Sequence, residues 1–186
     1  MHVCAPNFGE DKILNKLDNH GFCRDLDWDV LEYRSDFAKL SLDGIGSYDD
    51  VKFILEYRLD KSDFYANLTI KNNSKQGILV APGFHPYFYA DHNSISINDS
   101  KVDKSKLENS IIDKSKKESF SANGNKIVVE GGQNINEFVF WSDFKGDYIC
   151  VEPTYNSVAF SDSKRDAYKL EAGEDFSEDI TIKVIL

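Results

Sequence analysis

The feature that most constrains the fold is an apolar residue at every second position of residues 51–59 (VKFILEYRL). Successive side chains of a strand point to opposite faces, so this spacing places the apolar side chains on one face. Residues 64–71 repeat the pattern after the polar segment 60–63 (DKSD). Two such runs joined by a short turn predict a β-hairpin with one buried face. The predicted buried residues are Val51, Phe53, Leu55, Tyr57 and Leu59 in the first strand and Ala66, Leu68 and Ile70 in the second.

Short strand patterns recur along most of the chain. Clusters of Gly, Asn and Asp separate them, and no segment shows a convincing helical period. About ten short strands predict an all-β fold, either a sandwich or a barrel. A length of 186 residues corresponds to about one domain, so we expect a single domain over residues 1–186. The further predicted strands span residues 28–33, 38–42, 77–81, 94–98, 126–130, 137–141, 147–152 and 179–185.

The charge balance argues against a nucleic-acid partner. The chain carries 32 acidic and 22 basic residues, a formal net charge of −10, and the resulting field repels a phosphate backbone. Because few of the basic residues are arginines, a dense arginine clamp for phosphate groups is also hard to build. The arginines are Arg24, Arg34, Arg58 and Arg165.

The cysteines indicate a reducing compartment. Cys4, Cys23 and Cys150 cannot all pair with one another, and each lies in an apolar or aromatic stretch. We therefore predict reduced, buried thiols in a cytoplasmic protein. We expect no signal peptide, because no basic segment is followed by a long apolar run. We also expect no membrane contact, because no apolar stretch approaches the roughly 18 residues of a spanning helix.

One segment, residues 99–118 (DSKVDKSKLENSIIDKSKKE), has low complexity. Its charges of both signs alternate and nearly cancel, which favours a solvated loop or strand edge over a binding arm. We expect Leu107, Ile111 and Ile112 to attach this segment to the rest of the molecule.

Residues 82–88 (PGFHPYF) place a histidine in a restrained backbone. Pro86 disfavours helical geometry at His85 and holds it extended. Strand alternation then puts His85 and Tyr87 on one face with Gly83, whose missing side chain leaves space beside the ring. This arrangement suits the floor of a ligand site, although a hydrogen-bonded core histidine would have the same sequence.

Residues 148–153 (YICVEP) restrain a carboxylate in the same way. Pro153 holds Glu152 extended, and alternation places Cys150 and Glu152 on the face opposite Ile149 and Val151. The carboxylate is either an exposed strand end or a partly buried group. Burial would raise its pKa towards the range useful for proton transfer at neutral pH.

A third candidate is the segment 20–24 (HGFCR), followed by Trp28. Gly21 lets the backbone approach a ligand closely, and His20 and Arg24 can hydrogen-bond hydroxyl groups, although an ordinary loop would also fit. Two histidines and a glutamate could ligate zinc, but the HExxH and CxxC spacings are missing, so we predict no metal site. Phosphate-loop, dinucleotide-binding and G-x-S-x-G motifs are also missing, so we predict no cofactor.

Taken in order, four motifs resemble the aldose 1-epimerase (mutarotase) family. The branch most similar in appearance is that of glucose-6-phosphate epimerases and lactose-operon epimerase-like proteins. The closing segment 170–182 (LEAGEDFSEDITI) also resembles the family's last strands. The resemblance implies a large antiparallel β-sandwich of the galactose mutarotase-like type, with a sugar-binding cleft and no cofactor. The motifs are Asn7-Phe8-Gly9, HGFCR at 20–24 with Trp28, GFHPYF at 83–88 and ICVEP at 149–153.

The resemblance also implies roles for individual residues. It makes His85 the general acid and Glu152 the general base of anomer interconversion, with His20 and Arg24 contacting sugar hydroxyls or a phosphate. The chemistry agrees, because a base for the C1 hydroxyl and an acid for the ring oxygen suffice without metal or nucleotide. Three aromatic residues could offer apolar faces to the sugar ring. They are Tyr87, Trp141 and Tyr155.

The chain departs from the family pattern at its beginning. Family members usually start with several more strands, and a substrate-binding arginine precedes the position of Met1. The resemblance therefore implies an N-terminally shortened sandwich with an open sheet edge. Three explanations remain: a minimal variant, a homodimer whose second copy covers the edge, or an upstream start. A sugar-binding or vestigial protein without turnover is the alternative to the enzyme, and a hexose-6-phosphate mutarotase is the alternative on substrate.

Overall fold

The computed structural model describes residues 1–12, 17–161 and 166–185, and its regular structure is almost entirely antiparallel β-strand. Arg165 lies outside the described residues. The strands are β1 (His2–Cys4), β2 (Asp29–Arg34), β3 (Phe37–Asp43), β4 (Val51–Asp60), β5 (Asp63–Asn72), β6 (Ile78–Val80), β7 (Gly83–His85), β8 (Tyr87–Tyr89), β9 (Ser96–Ile97), β10 (Ser100–Lys101), β11 (Ile111–Asp113), β12 (Lys117–Ala122), β13 (Asn125–Gly131), β14 (Glu137–Trp141), β15 (Tyr148–Thr154), β16 (Tyr168–Leu170) and β17 (Asp175–Ile185).

The hairpin predicted from the alternation is formed by β4 and β5. Phe53 lies opposite Ile70 across the two strands, and both are fully buried. The turn has two residues, with Lys61 in the left-handed region at a φ of 56°. The predicted hairpin and its buried face are confirmed, except that Tyr57 is only partly buried and Leu59 near the turn is 51% exposed.

The strands form two large sheets that enclose a common core. The larger has nine strands in the order β10-β9-β12-β13-β17-β5-β4-β3-β2. The smaller has six, in the order β1-β7-β15-β14-β11 with β8 also paired to β15. One hydrophobic cluster contains Phe53 and Phe176 from the larger sheet and Phe138 and Val151 from the smaller. The antiparallel β-sandwich is therefore confirmed. A two-stranded ribbon of β6 and β16 completes the structure.

Side-chain alternation in the six-stranded sheet decides which residues leave the core. Ile149 and Val151 of β15 lie in the hydrophobic cluster between the sheets. Cys150 and Glu152 alternate with them and therefore point to the outer face of this sheet. The orientation predicted for this strand is confirmed, and it makes the outer face of the small sheet the place for polar chemistry.

The segment 99–118 is more ordered than predicted. It contains β10, β11, the start of β12 and one short helix, α1 (Lys104–Glu108), whose N-terminus is capped by the Asp103 side chain accepting from the Ser105 amide. Leu107 is buried and attaches the helix to the core, as predicted, whereas Ile112 is half exposed. The polar composition concealed these elements because their outward faces are solvated.

Two predictions that bear on the surroundings of the protein can be compared with the structure. All three cysteines are buried and free, as predicted. Within the described ranges, no helix is long and apolar enough to cross a membrane.

Candidate active site

His85 and Glu152 lie in direct contact. Gly83 of β7 pairs with Thr154 of β15, so the histidine and glutamate emerge on the same face of adjacent strands. His85 Nε2 lies 3.3 Å from Glu152 Oε1. Both side chains are almost completely buried, with 5% and 3% of their surface exposed. The sequence therefore predicted both residues, and the structure brings them together as an adjacent pair.

A cavity of about 540 Å³ opens onto this pair. A cleft of this size suits a small organic ligand. Six of the seven predicted site residues line it: His20, Arg24, His85, Tyr87, Trp141 and Glu152.

Tyr155 is the predicted site residue that the structure does not bring to the cavity. Its ring centroid lies 6.1 Å from that of Tyr168 and 5.7 Å from that of Phe176, both edge-on. It packs against the core between the sheets. Tyr155 therefore does not line this cavity, and its role as a sugar platform stays a prediction. An aromatic residue just beyond a strand does not reveal in the sequence which side of the sheet it joins.

Burial shifts the pKa values of the pair in opposite directions, upwards for Glu152 and downwards for His85. Burial raises the pKa of Glu152 to about 8, against a smaller lowering by a hydrogen bond from the Cys150 thiol. Burial, with His2, His20 and Arg24 nearby, lowers the pKa of His85 to about 3. At neutral pH the pair therefore holds one proton, whether it is written as a neutral acid beside a neutral imidazole or as an ion pair.

His2 is a site residue that sequence reasoning missed. It pairs with His85 across β1 and β7, and the two imidazoles stack with centroids 4.6 Å apart. Tyr87 also stacks on the His85 ring, at 4.8 Å and 19°. The sequence contains no signal for His2 at the site, because strand pairing brings residues close that are distant in sequence.

Two residues of the HGFCR segment, His20 and Arg24, line the cavity. Gly21 has a φ of 65°, and a Cβ there would fall 2.1 Å from the Ala5 carbonyl oxygen, so this position needs glycine. The turn places His20 Nδ1 3.3 Å from Cys4 Sγ and its ring edge-on to His85. Arg24 is partly exposed, with Nε 3.4 Å from an Asp25 carboxylate oxygen.

Buried polar side chains hold two loops at the cavity, and sequence reasoning missed this. The Asn7 amide donates to the carbonyls of Gly9 and Asp18, at 2.6 and 3.0 Å. The buried Glu137 carboxylate accepts from the Ser157 amide at 2.6 Å. Gly9 and Ser157 line the cavity, so these hydrogen bonds fix its shape. A buried acceptor of this kind has no local sequence signal.

The described residues include one cluster with the donor types of a metal site. The imidazole, thiol and carboxylate ligand atoms of His85, Cys150 and Glu152 all lie within 4.8 Å of one another. The two-histidine set considered from the sequence is not among such clusters, since a thiol takes the place of the second imidazole.

Sequence comparison identifies the family of the chain. The sequence model of the aldose 1-epimerase family matches residues 1–118. The chain belongs to the aldose 1-epimerase family. No curated protein matches the sequence. The predicted branch within the aldose 1-epimerases stays a prediction.

Solved structures agree on the fold of this aldose 1-epimerase family member. The Slr1438 protein of Synechocystis superimposes with a TM-score of 0.84 at 20% identity, over 98% of this chain and 76% of that one. A galactose mutarotase related enzyme of Lactobacillus acidophilus superimposes with a TM-score of 0.81 at 16% identity, over 99% of this chain and 82% of that one. A galactose mutarotase-like protein of Lactobacillus casei superimposes with a TM-score of 0.83 at 14% identity, over 98% of this chain and 84% of that one. The galactose mutarotase-like fold is thus confirmed.

Proposed function

We propose that the protein is an aldose 1-epimerase that interconverts the α and β anomers of a hexose by general acid–base catalysis. The observation that supports this most directly is the buried contact of 3.3 Å between His85 Nε2 and Glu152 Oε1, at a cavity that both residues line. The reaction acts on two oxygens bonded to the same carbon, C1. An acid and a base in contact can therefore serve both.

The proposed reaction uses the single proton of the pair. The reaction starts from the ion-pair form, in which His85 carries the proton: Glu152 takes the proton of the C1 hydroxyl while His85 donates its proton to the ring oxygen, and the bond from C1 to that oxygen breaks. The open-chain aldehyde rotates about C1–C2. Closure on the other aldehyde face returns both protons, so the pair ends in its starting state. Each positioned transfer contributes about 10²–10⁴-fold.

The other cavity residues would bind and orient the sugar. His20 and Arg24 line the cavity and can hydrogen-bond sugar hydroxyls, and Tyr87 and Trp141 offer ring faces to the pyranose. Arg24 is the one cation among the described lining residues. We therefore infer a neutral hexose rather than a hexose phosphate, which would favour several cationic groups. The buried, free cysteines agree with a cytoplasmic location.

Polarimetry tests the proposal. Addition of the protein to freshly dissolved α-glucose or α-galactose should accelerate the change in optical rotation. Glu152→Gln and His85→Asn should each lower this acceleration at least about 100-fold, because each removes one proton transfer. Glu56→Gln and His92→Asn, outside the cavity, are the matched controls and should retain the rate.

The same samples distinguish the alternatives. Calorimetric binding of either sugar without faster anomerisation would contradict the enzyme and indicate a sugar-binding protein. Stronger competition by glucose 6-phosphate than by glucose would indicate a hexose-6-phosphate mutarotase.

We also propose that a second copy of the chain covers the edge of the nine-stranded sheet. Strand β2 is the last strand of that sheet, and all its residues are exposed. Antiparallel pairing of β2 with itself would place Asp29 opposite Arg34 of the second copy and Val30 opposite Tyr33 of the second copy. The two outer pairs on each side are thus complementary in charge or in apolar side chains, whereas the central pair sets Leu31 against Glu32 of the second copy.

A further inference from the structure

The thiol of Cys150 completes a donor set that the proposed acid–base chemistry does not use. Cys150 and Glu152 are two residues apart on β15 and therefore share the outer face of the small sheet. His85 projects to the same place from β7. The ligand atoms of the three side chains lie within 4.8 Å of one another, and all three side chains are buried. Rigid strands thus hold three potential metal ligands in position before any ligand binds.

We propose that His85, Cys150 and Glu152 bind a zinc ion, with the fourth coordination position open to the cavity. Imidazole nitrogen, thiolate sulfur and carboxylate oxygen are the donors that zinc takes in proteins. Calcium and magnesium prefer all-oxygen sites, so this set selects against them. Three protein ligands with one open position are typical of reactive rather than purely structural zinc sites.

The spacing of the ligand atoms is close to what zinc requires. In a tetrahedron with zinc–ligand bonds of about 2.0–2.3 Å, ligand atoms lie roughly 3.3–3.8 Å apart. His85 Nε2 and Glu152 Oε1 are already 3.3 Å apart. The set as a whole spans at most 4.8 Å, so a contraction of about 1 Å would complete the coordination.

Binding changes the protonation of the site in a defined way. Zinc replaces the thiol proton of Cys150 and the one proton that His85 and Glu152 hold between them, and both protons pass to solvent. No oxidant or other reactant is needed. We expect reversible binding that a chelator removes. The buried His85 Nδ1 has no hydrogen-bond partner among the described residues, so zinc binding here lacks the outer hydrogen bond that typically strengthens it about 10–100-fold.

Zinc at this position would also inhibit anomerisation, a consequence that rests on the proposed function. The metal would occupy the nitrogen and oxygen that exchange protons with the sugar. Zinc and sugar would therefore compete for the same groups. Zinc binding itself requires only the three side chains and is independent of turnover.

Cobalt(II) is the probe for the site, because it takes zinc positions and absorbs visible light. Titration of the chelator-treated protein should give one tetrahedral Co²⁺ per chain, with a thiolate-to-cobalt charge-transfer band, and Zn²⁺ should abolish both signals. Cys150→Ser should remove the charge-transfer band and weaken Zn²⁺ binding at least tenfold. Cys23→Ser, at a buried thiol outside the cluster, is the matched control and should retain the band.

Two results would overturn the zinc site. One is an octahedral cobalt spectrum without the charge-transfer band, which would indicate surface carboxylates. The other is an unchanged band in Cys150→Ser, provided that circular dichroism shows the variant to be folded. Cobalt binding without any anomerase activity would refute the proposed function and leave the zinc site standing. Anomerase activity without cobalt binding would refute the zinc site and leave the proposed function standing. An unchanged anomerisation rate at saturating zinc would overturn the inhibition.

Discussion

At the scale of single residues, Glu178 is the most unusual feature of the core. It lies on β17 between the buried Phe176 and Ile180. It is fully buried, and neither carboxylate oxygen has a hydrogen-bond partner among the described residues. Burial, with the neighbouring Asp179, raises its pKa well above the usual value. The folded protein therefore holds Glu178 as a neutral acid.

Glu178 should make the stability of the fold depend on pH. In the unfolded chain its carboxyl ionises near pH 4.5, whereas the folded chain keeps the proton. Stability from this group is complete below pH 4.5 and falls as the pH rises towards the folded pKa. Glu178→Gln should remove that decline. The melting temperature of the variant minus that of the native protein should therefore increase as the pH rises. Melting curves from pH 4 to 8 measure this, and parallel curves would contradict it.

At the scale of elements, the position of β7 determines the geometry of the acid–base pair. Gly83 begins this strand, and its Cα faces Thr154 of β15 and Phe8. A Cβ on Gly83 would fall 2.6 Å from a ring carbon of Phe8 and 2.7 Å from the Thr154 Cβ. The sequence motif thus needs glycine here for close packing between strands. The position of His85, two residues later on the same strand, depends on this packing.

Gly83→Ala should therefore disturb both stability and activity. The added methyl group forces β7 or its neighbours to shift, at a cost of about 1–3 kcal/mol in free energy of unfolding. The same shift should slow anomerisation by displacing His85. Thermal unfolding and polarimetry measure the two effects. Gly146→Ala is the matched control, because its new Cβ would meet the Tyr148 ring at 3.2 Å, a milder contact. Equal behaviour of the two variants would argue against this role of Gly83.

At the scale of the whole molecule, the β2 edge of the nine-stranded sheet is the feature that bears on association with other chains. The β2 edge exposes three apolar side chains, with exposed fractions of 65% for Val30, 56% for Leu31 and 77% for Tyr33. Exposed apolar edge strands promote association with other strands. The self-complementary order of charges along β2 makes a second copy the occupant that fits.

The double variant Val30→Lys/Tyr33→Lys should convert a dimer into a monomer without abolishing activity. It places lysines at the centre of the proposed pairing, where edge lysines oppose strand addition. Analytical ultracentrifugation of the native protein and the variant measures the mass, and Leu59→Lys at another exposed position is the control. A native protein that sediments as a monomer at all concentrations would contradict the pairing.

The sequence by itself determined most of the longer strands and the main pair of the site. Alternation placed Phe53, Ile70, Val151 and Glu152 on the correct faces, because that periodicity is a local property of an extended chain. The prolines after His85 and Glu152 marked restrained backbone for the same local reason.

Only the tertiary structure decided which distant residues meet. Strand pairing brought His2 onto His85, and it brought His85 beside Glu152 and the Cys150 thiol. Packing placed Tyr155 against the core and left the Glu178 carboxyl without a hydrogen-bond partner among the described residues. These outcomes depend on contacts between segments far apart in the chain, and such contacts leave no periodic or spacing signal in the sequence.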